Sequence, residues 1–248
     1  MTEEQSKSRA KTTLFLLMSV DGKISSGESN SLDPDLDWKR IHGVKEGLAQ
    51  YYQIEQTTDL HSLITGRILA KLGANEQEIE GERPESSAFL NSIVIDRKPW
   101  LSAHGIRSVA DGVKTLYLVT NNPLHPAHGL VTELENLTVI NYSDEIDFLD
   151  LFQVMKEEYG ASGITLQSGG MLNTKLVRDG LVDHLLIIVA PLIVGGKTTP
   201  TMVDGYSFQT ESDLIGLKAL KLTRCEVLSN SYLRLEYDVI QTTIIDSK

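Results

Sequence analysis

Leu166-Gln167-Ser168-Gly169-Gly170-Met171-Leu172-Asn173-Thr174-Lys175-Leu176 is the stretch from which the fold is read. The apolar run 164–166 enters it as a strand end, and Leu172, Leu176 and Val177 leave it at helical spacing. Between them stands a Ser-Gly-Gly turn. Glycines without a Cβ let the backbone approach a ligand closely, and the unpaired N–H groups at a helix start attract phosphate, so a nucleotide pyrophosphate fits here. The stretch has neither the G-x-G-x-x-G fingerprint nor a P-loop. By itself such a turn is more often only a tight connection.

Working outward, residues 181–191 form a second buried apolar strand that runs into Gly195-Gly196-Lys197, another glycine turn. Residues 12–19 are almost wholly apolar, as suits a central strand covered on both faces. A loop rich in Gly, Ser, Asp and Asn follows at 25–37 and reads as a lid or specificity loop. The spacing then predicts a helix over 38–56, capped by Asp37, with Trp38, Ile41, Leu48, Tyr51 and Tyr52 on its buried face. Strands are expected at 60–65, 92–96, 115–120, 139–141 and 164–167, with helices at 68–72 and 144–158. Asn121-Asn122-Pro123 stops one strand. Residues 74–88 are polar and acidic and read as a surface insertion. The chain closes with two antiparallel strands, 217–227 and 232–240, around Ser229-Asn230. Alternating strands and helices with a terminal hairpin predict an α/β fold with a mixed, mostly parallel sheet flanked by helices. Residues 1–11 are expected to be a flexible N-terminus and 12–248 a single domain.

A net charge of −11 opposes binding to nucleic acid or anionic membranes, so neither is an expected partner. The lone cysteine, Cys225, excludes an intramolecular disulfide and a thiolate cluster, and it reads as a core or sheet residue. Only His125 and His128 have ligand-like spacing, and no metal is expected. The longest apolar run, 185–194, is too short to span a bilayer and contains Pro191; a cytoplasmic location is the expectation.

Gly169, Gly170, Leu172, Asn173, Gly180, Leu181, Val182, Asp183, Ala190, Pro191 and Gly195, taken with Met18-Ser19-Val20-Asp21-Gly22-Lys23-Ile24 and Thr65-Gly66-Arg67, form an ordered pattern over roughly residues 12–240. In this pattern the chain resembles the riboflavin-biosynthesis reductases, that is, the reductase domain of the bifunctional deaminase-reductase and its stand-alone relatives. The resemblance implies a three-layer, dihydrofolate-reductase-like fold with helices on both faces of the sheet, a homodimer, and NADPH-dependent reduction of a ribosylamino-pyrimidine phosphate to its ribitylamino form. It implies cofactor contacts at Thr65, Gly66, Arg67, Ser168, Gly169, Gly170, Met171, Leu172 and Gly195.

Ser19 and Gln167 are the substrate-binding candidates. Asp21 and Lys23, at a strand exit where ligands of open α/β sheets bind, are the candidates for catalysis: reducing a carbonyl or imine needs a proton donor or a positive charge, and a lysine supplies both. Arg97, Thr120 and Asn121 end two neighbouring strands and are candidates for the 2′-phosphate that separates NADPH from NADH. Asp183 reads as structural. One departure stands out, because Gln167 occupies the position of the family's substrate-contacting glutamate and replaces a charge with an amide. That leaves open a reductase of another heterocycle, pterin or dihydrofolate-like, and a nucleotide-binding protein without catalysis.

Overall fold

Apolar segments separated by glycine and capping residues become nine strands and six helices in the computed structural model, which describes residues 8–76 and 89–246. In chain order these are β1 (Lys11–Ser19), α1 (Pro34–Asp37), α2 (Ala49–Glu55), β2 (His61–Thr65), α3 (Gly66–Lys71), β3 (Asn91–Ile95), α4 (Ala103–Asp111), β4 (Thr115–Thr120), β5 (Leu137–Asn141), α5 (Phe148–Glu157), β6 (Gly163–Leu166), α6 (Gly170–Arg178), β7 (His184–Ala190), β8 (Ala219–Val227) and β9 (Leu233–Ile240). The expected α/β class, mostly parallel with a C-terminal antiparallel pair, is the fold observed. Contacts group the chain into two compact units: the chain up to Thr58 with Gly169 onward, and Asp59–Ser168.

In the Asp59–Ser168 unit, five parallel strands lie in the order β5-β4-β3-β2-β6. Val94, Leu116 and Leu118 pack with Ile106 and Ala110 of α4 and with Leu101 in one buried cluster. Each such side chain contributes about 1.5–3 kcal/mol by leaving water. Ser102 caps α4 by accepting from Gly105 N–H. The helix expected over 144–158 begins later, at Phe148, because Asp147 accepts from the N–H groups of Leu149 and Asp150 and so sets the start. Its buried residues Phe148, Leu151, Phe152 and Met155 follow the helical period. Most of the expected polar insertion at 74–88 lies outside the described residues; Ala74 is buried in the cluster above.

The other unit is built on β1 and β7, parallel from Thr13↔His184 to Ser19↔Ala190, with β9 antiparallel to β7 and β8 antiparallel to β9. Of the expected flexible terminus, residues 1–7 lie outside the described residues, and Arg9 is buried. Its guanidinium donates to both Asp183 oxygens, at 2.8 and 2.9 Å, and Asp183 also accepts from Thr12 N–H. Burial alone would push the Asp183 carboxyl up; the Arg9 hydrogen bond and charge, with Thr12 N–H, outweigh it and hold it below the usual range. Asp183 is thus the structural residue it was expected to be, pinning the start of β7 to the start of β1.

The single helix expected over 38–56 is broken. Asp33, not Asp37, caps a helix that starts at Pro34, Trp38–Arg40 is a 3₁₀ turn, and α-helix resumes only at Ala49. Gly43 adopts φ +86°, which ends a right-handed helix. Trp38 and Leu48 are buried as expected, but Ile41 is 41% exposed and Val44 takes the core position, where Tyr232 Oη donates to its carbonyl. Phe15 stacks on Tyr51 with ring centroids 4.8 Å apart. The 25–37 loop closes on itself through Ser25 Oγ, which bonds the carbonyls of Gly27 and Leu32. Cys225 lies on the sheet but is exposed, so it is no core residue.

Candidate active site

The β1 exit is a hydrogen-bonded clamp. Ser19 is fully buried; its hydroxyl donates to Asp21 Oδ1 at 2.6 Å and accepts from Lys23 N–H at 2.9 Å. Gly22, at φ +78°, lets the chain reverse between them. The Asp21 carboxylate also accepts from the N–H groups of Val194 and Gly195, at 3.1 and 2.7 Å. The Ser19 hydroxyl, then the Val194 and Gly195 amides, lower its pKa to about 2, so it is ionised at neutral pH. Lys23 Nζ donates to the carbonyls of Gly196 and Thr199, at 2.8 and 3.1 Å. An ammonium has three donors, so one N–H remains for a ligand. The two residues expected near the reacting centre therefore hold the glycine turn after β7. Gly195, expected at the cofactor, gives its own N–H to Asp21.

The start of α6 belongs to the same unit. Gly169 is the N-cap, with extended backbone (φ −79°, ψ 161°) and no side-chain cap. A Cβ built on Gly169 would meet nothing within 4 Å, whereas one on Gly170 would overlap the Asp204 carboxylate and lie 2.5 Å from the Thr201 carbonyl. The two glycines therefore differ in purpose: the first leaves open space beside uncapped helix N–H groups, and the second makes room for the 201–204 turn. Asn173, which is buried, donates to Met202 O, and Thr174 Oγ1 shares its one proton between the carbonyls of Gly170 and Asp204, tying that turn to the helix. Met171 is 64% exposed and Leu172 half-buried.

In the Asp59–Ser168 unit, Thr65 is the N-cap of α3 and its hydroxyl accepts from Ile68 N–H. Gly66 packs on Asp96: a Cβ there would lie 2.7 Å from either carboxylate oxygen. Arg67 is exposed and sits over the Trp100 ring, 5.7 Å from its centroid. Arg97 is exposed at the exit of β3. Thr120 is fully buried and its hydroxyl is occupied, donating to Asp96 O at 2.9 Å and accepting from Asn122 N–H. Asn121 donates to Asp144 O. Gln167 Oε1 accepts from Ser62 Oγ at 2.8 Å, and Ser168 is buried. Of the candidates at the strand ends, then, Arg67 and Arg97 are exposed, Arg67 lying over Trp100, while Thr65 and Thr120 have their hydroxyls engaged in holding turns.

Residues 10–233, nearly the whole of the folded chain, match the RibD C-terminal domain family. The chain belongs to that family. Among curated relatives it is 26% identical over 188 residues to the 2,5-diamino-6-ribosylamino-4(3H)-pyrimidinone 5′-phosphate reductase of Methanothermobacter thermautotrophicus, covering 62% of this chain and 86% of that one. To the protein of the same name from Archaeoglobus fulgidus it is 24% identical over 195 residues, covering 77% and 84%. Among solved structures the fold is shared with RibD of Acinetobacter baumannii (TM-score 0.66, 16% identity, 95% of this chain and 59% of that one). It is also shared with the riboflavin biosynthesis reductase Rib7 of Saccharomyces cerevisiae (TM-score 0.58, 14% identity, 94% and 91%). The expected resemblance and the reductase-type fold hold, and this RibD-family chain spans about three-fifths of the Acinetobacter protein's length.

The roles of Asp96, Asp204 and Arg9, and the pairing of His125 with Asp96, escaped the sequence reading. Asp96 had a signal, an acid directly ending the apolar run 92–95, but nothing in the sequence pairs it with His125 twenty-nine residues on. His125 and His128, whose spacing suggested ligands, go to different partners, Asp96 and Asn122 O. Among the described residues no group of His, Cys, Asp and Glu could hold a metal, and no helix is long and apolar enough to cross a membrane.

Proposed function

We propose that this chain is a reductase that uses NADPH to convert a ribosylamino-pyrimidine phosphate to its ribitylamino form. The observation that carries the reading is the start of α6, a nine-residue helix whose N-cap glycine has no side-chain cap and has open space where a Cβ would stand. Uncapped N–H groups at the positive end of a helix fit a pyrophosphate, and the absence of a Cβ permits close approach. The names of the archaeal relatives supply the substrate class.

A reduced nicotinamide, when bound, would supply a hydride to the ribosylamino carbon in its open-chain imine form, and the imine nitrogen would need a proton. Asp21, ionised at neutral pH, has no proton to give, so Lys23 or a water is the donor and Asp21 serves in orientation. Ser19 supports both from below. Gln167, with its carbonyl oxygen oriented by Ser62, is assigned to the substrate. Ser168, Gly169, Gly170, Met171 and Leu172 are assigned to the pyrophosphate side, and Arg67 and Arg97 to the remaining phosphate, with Thr65, Gly66, Thr120, Asn121 and Gly195 shaping the turns. The second reading, a different heterocycle, rests on the amide of Gln167 where the family pattern has a carboxylate.

A homodimer fits the hairpin. Strand β8 pairs with β9 and is exposed along nearly its whole length, with Leu220, Leu222 and Val227 41%, 52% and 79% exposed. An outer strand with one edge unpaired among the described residues and exposed apolar side chains invites a second copy. Light scattering on the purified chain reports it.

The deciding experiment follows NADPH oxidation with the named pyrimidine phosphate and with pterin candidates. Turnover and a ribitylamino product are expected with the pyrimidine. Turnover only with a pterin favours the second reading, and NADPH binding without oxidation of any candidate makes the chain a binder. One charge-assisted contact to the 2′-phosphate is worth about 1.5–3 kcal/mol, so NADPH is expected to bind roughly tenfold or more tightly than NADH.

A further inference from the structure

One buried carboxylate in the Asp59–Ser168 unit holds four separate segments together. Asp96 follows β3; its Oδ1 accepts from Trp100 N–H at 3.2 Å, and its Oδ2 accepts from Leu101 N–H at 3.0 Å and from His125 Nε2 at 3.1 Å. Both side chains are 0% exposed. Ala127 N–H donates to His125 Nδ1 at 3.2 Å, which puts the ring proton on Nε2, directed at Asp96. The backbone of Asp96 is held as well: its N–H donates to Val119 O and its carbonyl accepts from Thr120 Oγ1. Its carboxyl group lies against Gly66, where any larger residue would collide.

A buried charge is costly unless its hydrogen bonds are made, so a carboxylate placed here needs a structural return for that cost. What the donors organise is the 97–101 loop. That loop presents Arg97 at one end and, at the other, Trp100, over which Arg67 lies. The buried carboxylate bears on this loop through the amides of Trp100 and Leu101 at one end and, at the other, by direct chain adjacency to Arg97.

We propose that Asp96, with His125 behind it, is the positioning residue for the guanidinium pair Arg67 and Arg97, and thereby sets the preference for a phosphorylated adenosine ribose. This rests on the nucleotide-dependent reading above.

The test needs no substrate. Binding of NADPH, NADH and 2′,5′-ADP to the full chain is measured by calorimetry for the parent, Asp96→Asn and His125→Asn, with thermal unfolding recorded alongside. Asp96→Asn places an amide where three donors converge. His125→Asn is the milder variant, since an Asn oxygen can still accept from Ala127 N–H while Asp96 loses one donor. Loss of a charge-assisted phosphate contact weakens NADPH and 2′,5′-ADP roughly tenfold and leaves NADH within about twofold, so the NADPH-to-NADH ratio falls toward one. Ile106→Val, in the same core, serves as a control that lowers stability without moving the ratio. A ratio unchanged in a folded His125→Asn or Asp96→Asn variant, whatever its stability, overturns the proposal and leaves the pair as core. Failure of the parent to bind 2′,5′-ADP and NADPH overturns the nucleotide reading itself, which is a different result.

Discussion

Gly169→Asp should make the protein more stable and its cofactor binding weaker. Position 169 has φ −79° and ψ 161°, ordinary for any L-residue, and nothing stands within 4 Å of the new Cβ, so the substitution introduces neither strain nor overlap. Aspartate there becomes the side-chain cap that α6 lacks. Replacing a glycine cap adds a few tenths of a kcal/mol, and a negative charge at a helix start adds about 0.3–1 kcal/mol more. For a chain of this size about 1 kcal/mol raises Tm by roughly 2–4 °C. The same charge about 5 Å from a phosphate, at an effective dielectric of about 20, costs about 3 kcal/mol, or roughly 100-fold in Kd. Scanning fluorimetry reads the first effect and calorimetry with NADPH the second. Added salt should shrink the binding penalty, because screening acts on exposed charges. A more stable variant with parental NADPH affinity refutes the reasoning and makes Ser168-Gly169-Gly170 a chain connection only. Gly170→Ala is the contrasting perturbation. Its methyl group meets Asp204 and Thr201, so it should cost about 1–3 kcal/mol of stability, measured by urea unfolding.

Arg9→Met should destabilise by about 3–5 kcal/mol, because it strands the buried Asp183 carboxylate without its partner; an unchanged urea midpoint would mean that the pair contributes nothing. Ser19→Ala should move the Asp21 carboxyl from about 2 toward 3.8, visible in an NMR titration. Asp21 has a folded pKa below its unfolded value, so its contribution to stability is complete above about pH 3.8 and is lost as pH falls toward 2. In Ser19→Ala that acid-side loss should be smaller and should end at a higher pH, because the folded pKa moves toward the unfolded value while the onset near pH 3.8 stays. Lys23→Ala should lower turnover by ~10²–10³ with NADPH affinity within about twofold, since the residue is assigned to the substrate side. If NADPH affinity falls equally, Lys23 acts through the 196–199 loop it holds.

Short-range physics made much of this protein legible from its residues. Apolar or alternating runs bounded by glycine, proline and capping residues located the nine strands of the described residues, most directly β1 and β7, since a strand buried on both faces must be continuously apolar. The α6 glycine turn was visible for a local reason too: a residue without a Cβ leaves the space beside a helix start open. Periodicity misled where a distant residue decided, as at 38–56, where Tyr232 takes the Val44 carbonyl and Gly43 turns left-handed. Within the candidate site, the division of labour was not legible in the sequence. Glycines 169 and 170 look equivalent in sequence, and only the approach of Asp204 from the 201–204 turn makes one spacious and the other crowded. Asp21 and Lys23 read as reacting groups, and only the turn after β7 shows that both also hold it in place. Asp96 and His125 carried no paired signal at all, since a buried carboxylate finds its donors through tertiary packing, and sequence spacing does not record which donors those are.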